Sequence, residues 1–182
     1  SRHHMKNKKL RYYKISDWQI DTGPIFGDHL NDYEWLISKK SEKANPQDKS
    51  IKAGRLLEEL LQNMCTNLWV NVRFNLSGKY TIDPLWSAFY SAAKKFDRFY
   101  SLTKQHLGTI EKTRNIRNWA GAHWNSWAMN LTSQEAQEFC DAVIDLRKCV
   151  YCEHCKEFIK RINDIDDLWS CKCEKLRYKK GE

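Results

Sequence analysis

Four cysteines toward the end of the chain, Cys152, Cys155, Cys171 and Cys173, form two local pairs separated by fifteen residues. Two residues lie inside the first pair and one inside the second. Each pair can present two thiolates from one tight turn, and two such turns complete a tetrahedral structural zinc site with no open position for water. A segment this short cannot be held by burial alone, so bound metal would supply its folding energy. Incidental buried cysteines are the bland alternative, and the tight pairing speaks against it. A redox role for Cys152 and Cys155 would need the strand-and-helix setting of a thioredoxin-like motif, which the flanking sequence lacks. His154 could replace one cysteine as ligand, although inside the first turn it is expected to point outward. Cys149 fits the last turn of the preceding helix.

A second group is Arg117, Asn118 and His123, three polar residues interrupting a stretch rich in Trp and Ala. Cleaving RNA without a metal calls for such groups. A base removes the ribose 2′-hydroxyl proton, a cation stabilises charge growing on the phosphorus oxygens, and an amide orients the phosphate. Histidine titrates near neutrality and guanidinium matches phosphate geometry. On a regular helix, positions six apart point about 120° away from each other. Convergence of Arg117 and His123 therefore requires a distortion near Gly121 or a second copy of the chain. Arg147 and His154 satisfy the same loose spacing but straddle a helix end and the first cysteine turn. The bland reading makes His123 a polar core or interface residue beside Trp119 and Trp124.

The elements that must position these groups read mainly as helices. Asn45-Pro46 is a capping residue followed by proline at the first helical position. From there Leu57, Leu60, Leu61, Met64, Cys65, Leu68 and Val72 recur at three- and four-residue spacing, predicting one helix that ends before Asn75-Leu76-Ser77-Gly78. A second helix is predicted from Asp83-Pro84 to about Ser101, and a third over roughly 109–128. The fourth opens on Thr132-Ser133-Gln134-Glu135, a capping-box pattern, and runs to 148. Residues 46–148 thus read as four antiparallel helices. Residues 1–45 read as an extended arm or short strand followed by a short helix over 30–40, and 149–182 as a zinc ribbon or knuckle. Ser1 to Met5 looks like a vector-derived remnant.

Arg117-Asn118, four further residues and then His123 resemble the arginine–polar–histidine motif of the HEPN superfamily, small helical proteins that include many metal-independent ribonucleases. The resemblance covers about 46–148. It implies a HEPN-like bundle in which Arg117 binds phosphate, Asn118 supplies the polar contact and His123 transfers the proton. It also implies a homodimer whose two motifs face each other. A fainter likeness, carried by Trp18, Gly23-Pro24 and Ala53-Gly54-Arg55-Leu56-Leu57-Glu58-Glu59, is to C-terminal regions attached to RecF- or SMC-like ATPases of bacterial defence systems. The chain has no Gly-rich phosphate loop of its own, so that likeness implies a separated effector domain or a small partner of such an ATPase.

The composition is compatible with this reading. The 182 residues carry 31 Lys and Arg against 23 Asp and Glu, a formal charge of +8, which suits a polyanionic partner or simple solubility. Seven Gly and three Pro are too few for a turn-rich all-β fold. Seven cysteines, five of them between Cys149 and Cys173, suit a reduced cytoplasmic protein with a metal site better than a disulfide framework. No apolar run approaches the ~20 residues needed to span a bilayer. The exposed-looking cations Lys172, Lys175, Arg177, Lys179 and Lys180 could contact phosphates or only solvate the surface. The expectation is an RNA endonuclease leaving 2′,3′-cyclic phosphate ends, acting as a toxin or effector in phage defence. Its rivals are a non-catalytic module that binds nucleic acid or docks on an ATPase, and a pure dimerisation element.

Overall fold

The apolar stripe from Leu57 onward makes the longest helix among the described residues, and three other helices pack against it. The computed structural model describes residues 14–19, 23–27, 30–73, 81–113, 131–163 and 167–182. Residues 1–31 and 32–182 form two compact units. In the first, β1 (Lys14–Gln19) and β2 (Gly23–Gly27) pair antiparallel, with a register shift between Ile15 and Asp17. The extended arm or short strand expected there is a two-stranded hairpin.

The second unit is mainly helical with a small C-terminal strand region. Its helices are α1 (Asp32–Leu36), α2 (Lys39–Glu42), α3 (Pro46–Asn67), α4 (Ile82–Ala93), α5 (Asp97–Thr113) and α6 (Ser133–Val150). Helix α3 packs against α1, α4 and α6, and α5 packs against α6. The core between them holds Leu57, Leu61, Phe89, Phe99, Phe139 and Val143, each fully buried. Among the described residues, no helix is long and apolar enough to cross a membrane.

Local signals set where several helices begin. The Asn45 side chain accepts the Asp48 N–H at 2.7 Å, with Pro46 behind it in the first turn. At α6 the Thr132 hydroxyl accepts the Glu135 N–H at 3.1 Å while the Glu135 carboxylate accepts the Thr132 N–H at 3.0 Å. Both satisfy backbone donors that a helix start leaves unpaired. Helix α4 starts earlier than Asp83-Pro84 suggests: Thr81 is its N-cap residue, and Asp83 and Pro84 occupy the first turn.

Helix ends depart further from expectation. The stripe predicts a helix reaching Val72, yet α3 stops at Asn67. The Val70 N–H bonds the Cys65 carbonyl at 2.9 Å, and Trp69 takes a left-handed φ of 53°. This is a Schellman closure with tryptophan where glycine is usual. The single helix predicted over 83–101 is broken. Three-residue turns from Lys95 N–H to the Ala92 carbonyl and Phe96 N–H to the Ala93 carbonyl end α4, and α5 then runs through 102–108, between the second and third predicted helices. The break buries Phe96, which stacks on Trp169 with centroids 3.7 Å apart. A tertiary contact outweighs helix propensity here. Of the third predicted helix, residues 109–113 form the end of α5, and 114–128 lie outside the described residues.

The strand region follows α6 without a gap: β3 (Tyr151–Cys152), β4 (Glu157–Phe158), β5 (Lys160–Asn163), β6 (Leu168–Ser170) and β7 (Arg177–Lys179). β3 pairs with β4, and β5, β6 and β7 form an antiparallel sheet in that order. The start of this region marks a change of secondary structure inside a continuous core. Trp169 packs edge-on against Phe99 as well as stacking on Phe96, and Tyr178 meets Phe99 at 5.0 Å. The Tyr178 hydroxyl donates to the Cys149 carbonyl at 2.9 Å, satisfying an acceptor at the end of α6.

The α6 cap gives a direct check. Thr132→Ala should lower stability by about 1 kcal/mol. The N–H and hydroxyl of Thr132 hold the Glu135 carboxyl below its ordinary value of 4.5. Its contribution is therefore complete above that value and is lost as pH falls through the lower folded one. The difference in melting temperature between wild type and Glu135→Ala should be constant near neutrality and close in acid. A difference independent of pH would exclude the capping role.

Candidate metal centre

Two turns of similar construction bring the four cysteines together. In the first, β3 carries Cys152 into a turn that holds Cys155, and the Lys156 N–H returns to the Cys152 carbonyl at 2.8 Å. In the second, the chain leaves β6 at Cys171, and the Glu174 N–H returns to the Cys171 carbonyl at 3.0 Å. The residue after the second cysteine is left-handed in both, with φ of 58° at Lys156 and 60° at Glu174. Neither is glycine, so each turn holds its shape against a local conformational cost of about 1 kcal/mol.

The thiol sulfurs of Cys152, Cys155, Cys171 and Cys173 all lie within 4.8 Å of one another. Cys173 is 3.5 Å from both Cys152 and Cys171. Four thiolates around one ion at about 2.3 Å would be about 3.8 Å apart, so the cluster fits a tetrahedral centre with minor adjustment. Cys152 and Cys171 are buried, while Cys155 and Cys173 are half-buried. The four cysteines could hold a metal ion, and an all-sulfur set suits soft ions such as zinc, copper(I) or iron.

Backbone donors prepare the sulfurs for charge. The N–H groups of Cys155 and His154 favour the Cys152 thiolate and, against burial, hold its pKa at about 6. The Leu176 N–H donates to the Cys171 sulfur at 3.3 Å. At Cys173 the Lys175 N–H favours the thiolate, but partial burial and the neighbouring thiols outweigh it and push the pKa up to about 12. One thiol in the group ionises readily and another resists, as expected of like charges crowded together. A bound cation removes that conflict and lets all four act as ligands.

The other cysteines differ. Burial raises Cys65 to about 11 and Cys140 to about 12, and it also raises Cys149, in the last turn of α6. These thiols are unreactive packing groups. His154 is exposed and is not among the clustered ligand atoms. Arg117, Asn118 and His123 lie outside the described residues, as do Trp119, Trp124 and Trp127. The sequence reading missed the Leu176 N–H contact and the anchoring role of Trp169 and Tyr178. The alternation of aromatic and polar residues at Leu168-Trp169-Ser170 and Arg177-Tyr178-Lys179 was the available signal for the anchors.

Compared with known proteins, the chain matches no family model, no curated protein and no solved structure.

Cys152, Ile159, Trp169, Cys171 and Tyr178 belong to the same buried cluster as the helices. Loss of metal should therefore weaken residues 32–182 as a whole. Elemental analysis should give one metal ion per chain, and Cys171→Ser should abolish stoichiometric binding. Excess chelator should lower the melting temperature by roughly 10 °C, with helical and aromatic signals lost together. Loss of the aromatic signal alone would show that the strand region unfolds independently. Glu174→Gly should raise stability by about 1 kcal/mol by removing left-handed strain.

Proposed function

We propose that the chain is a metal-independent RNA endonuclease of HEPN type, with a structural zinc ion in a C-terminal ribbon. The observation that carries this reading is Arg117-Asn118 followed by His123, in a segment bounded by α5 and α6, two core helices that pack on each other. His123 removes the 2′-hydroxyl proton, the 2′-oxygen bonds to phosphorus, and the P–O5′ bond breaks. The 5′-oxygen leaves as a hydroxyl when the proton is returned to it. Arg117 stabilises charge on the phosphorus oxygens and Asn118 orients them. Zinc sits apart from this chemistry, because four thiolates leave it no position for water or substrate.

The dimer implied by the motif supplies the second copy that brings the polar groups together, so sedimentation of the purified protein should show a homodimer. Within a bacterial cell the reading fits an effector of phage defence, released or positioned by a RecF- or SMC-like ATPase. A non-catalytic nucleic-acid-binding module is the second reading. It is favoured by the C-terminal cations, since Lys172, Lys175, Arg177, Lys179 and Lys180 are all exposed.

Wild-type protein should cleave RNA in the presence of chelator at short times, leaving 2′,3′-cyclic phosphate ends, and should leave DNA intact. His123→Ala should slow cleavage at least about a hundredfold with binding preserved. Arg117→Ala should reduce both, because guanidinium contacts phosphate before and during reaction. Cleavage by His123→Ala at the wild-type rate would end the catalytic reading. Binding without cleavage by the wild type would move the assignment to the second.

A further inference from the structure

Four non-glycine residues among those described hold a left-handed φ, and they divide between two places. Lys156 and Glu174 shape the cysteine turns. Trp69 and Asp167 line an open cleft of ≈ 490 Å³ between the end of α3, one face of α4, and the β5–β7 sheet. Strained backbone persists where the surroundings enforce it, and it concentrates at binding sites.

The cleft has a distinct chemistry on each wall. Trp69 stands at its edge, 61% exposed, and is held there by the Schellman closure of α3. Glycine would relieve the backbone, so turn chemistry does not account for tryptophan here. Ser87 and Ser91 lie four residues apart on one face of α4, and Lys95 follows in the turn just past its end, so two short hydroxyl residues and a cation line this wall. Opposite them, Asp167 accepts from Arg161 Nη2 at 3.0 Å and also from Lys180 Nζ, holding two cations side by side. Among the described lining residues, three cations stand against one carboxylate. The Arg161 guanidinium lies 5.8 Å from the Trp69 ring centroid, so the aromatic platform and the charge are adjacent.

A planar group beside an anion matches this arrangement, and a nucleotide offers both. Trp69 can stack only on a base that is not already stacked within a duplex, which selects a single strand. We propose that the cleft binds one nucleotide unit of single-stranded RNA, with the base on Trp69 and the flanking phosphates at Lys95, Arg161 and Lys180. The choice of RNA over DNA rests on the ribonuclease reading. The residues assigned to the cleft are other than Arg117, Asn118 and His123, so recognition would extend beyond the groups assigned to the cleaved bond. Ser87 and Ser91 are short enough to let the sugar and base edge approach α4 closely.

The test uses the full chain carrying His123→Ala, so that a fluorescein-labelled 12-nucleotide RNA stays intact while anisotropy reports binding. Adding Trp69→Gly should weaken affinity roughly 5- to 100-fold while raising the melting temperature by a few degrees. A purely structural Trp69 would not move binding and stability in opposite directions. Trp69→Phe should retain most of the affinity. Replacing Lys95 and Lys180 by Ala should reduce the slope of log affinity against log salt by about 1. Unchanged affinity in Trp69→Gly, or an unchanged salt slope in the lysine variant, overturns the proposal. Displacement of the RNA by polyglutamate at equal charge would instead assign the cleft to acidic peptides. RNA cleavage by the wild type together with intact binding in Trp69→Gly removes the cleft proposal alone. Trp69-dependent binding in a chain that never cleaves upholds the cleft and removes the ribonuclease reading.

Discussion

Four thiols brought within 4.8 Å of one another cannot all ionise unless a cation joins them. That constraint governs the C-terminal part of the molecule. Its strands are two to four residues long and could not hold their pairing alone. A cation bound at the cysteines would close the two turns onto each other. Backbone N–H groups already aim at the Cys152 and Cys171 sulfurs, so the turns are arranged for charge before an ion arrives.

The opposite side of the strand region is tied by burial. Trp169 enters between Phe96 and Phe99, and Tyr178 reaches the last turn of α6 through its hydroxyl. The Glu182 carbonyl accepts the Arg98 N–H at 2.9 Å, satisfying a donor at the start of α5. Helices and strands thereby share one core, and the cleft beside Trp69 exists only while the sheet is docked, since Arg161, Asp167 and Lys180 form one of its walls. Metal binding at the cysteines would therefore be linked to docking of the sheet and to the shape of the cleft.

What could be read from the sequence was what short-range chemistry decides. The caps at Asn45 and Thr132 join residues three apart, and the cysteine turns are defined within four residues, so spacing alone reveals them. The early stop of α3 and the break before Asp97 were not legible. The first depends on an unusual left-handed tryptophan, and the second on Phe96 finding Trp169 more than seventy residues away. The cleft was invisible for the same reason, because its walls come from three distant stretches of chain. The Arg117, Asn118 and His123 motif remains a reading of residue types, complementary to the metal centre rather than built on it.

The central claim is that Cys152, Cys155, Cys171 and Cys173 enclose one ion with a closed shell of sulfur. X-ray absorption at the edge of the bound metal measures that shell directly. Four sulfur neighbours at about 2.3 Å, with the absorption edge of zinc, are the result the account predicts. A shell containing nitrogen or oxygen, as would follow if His154 or water replaced a thiolate, would contradict it.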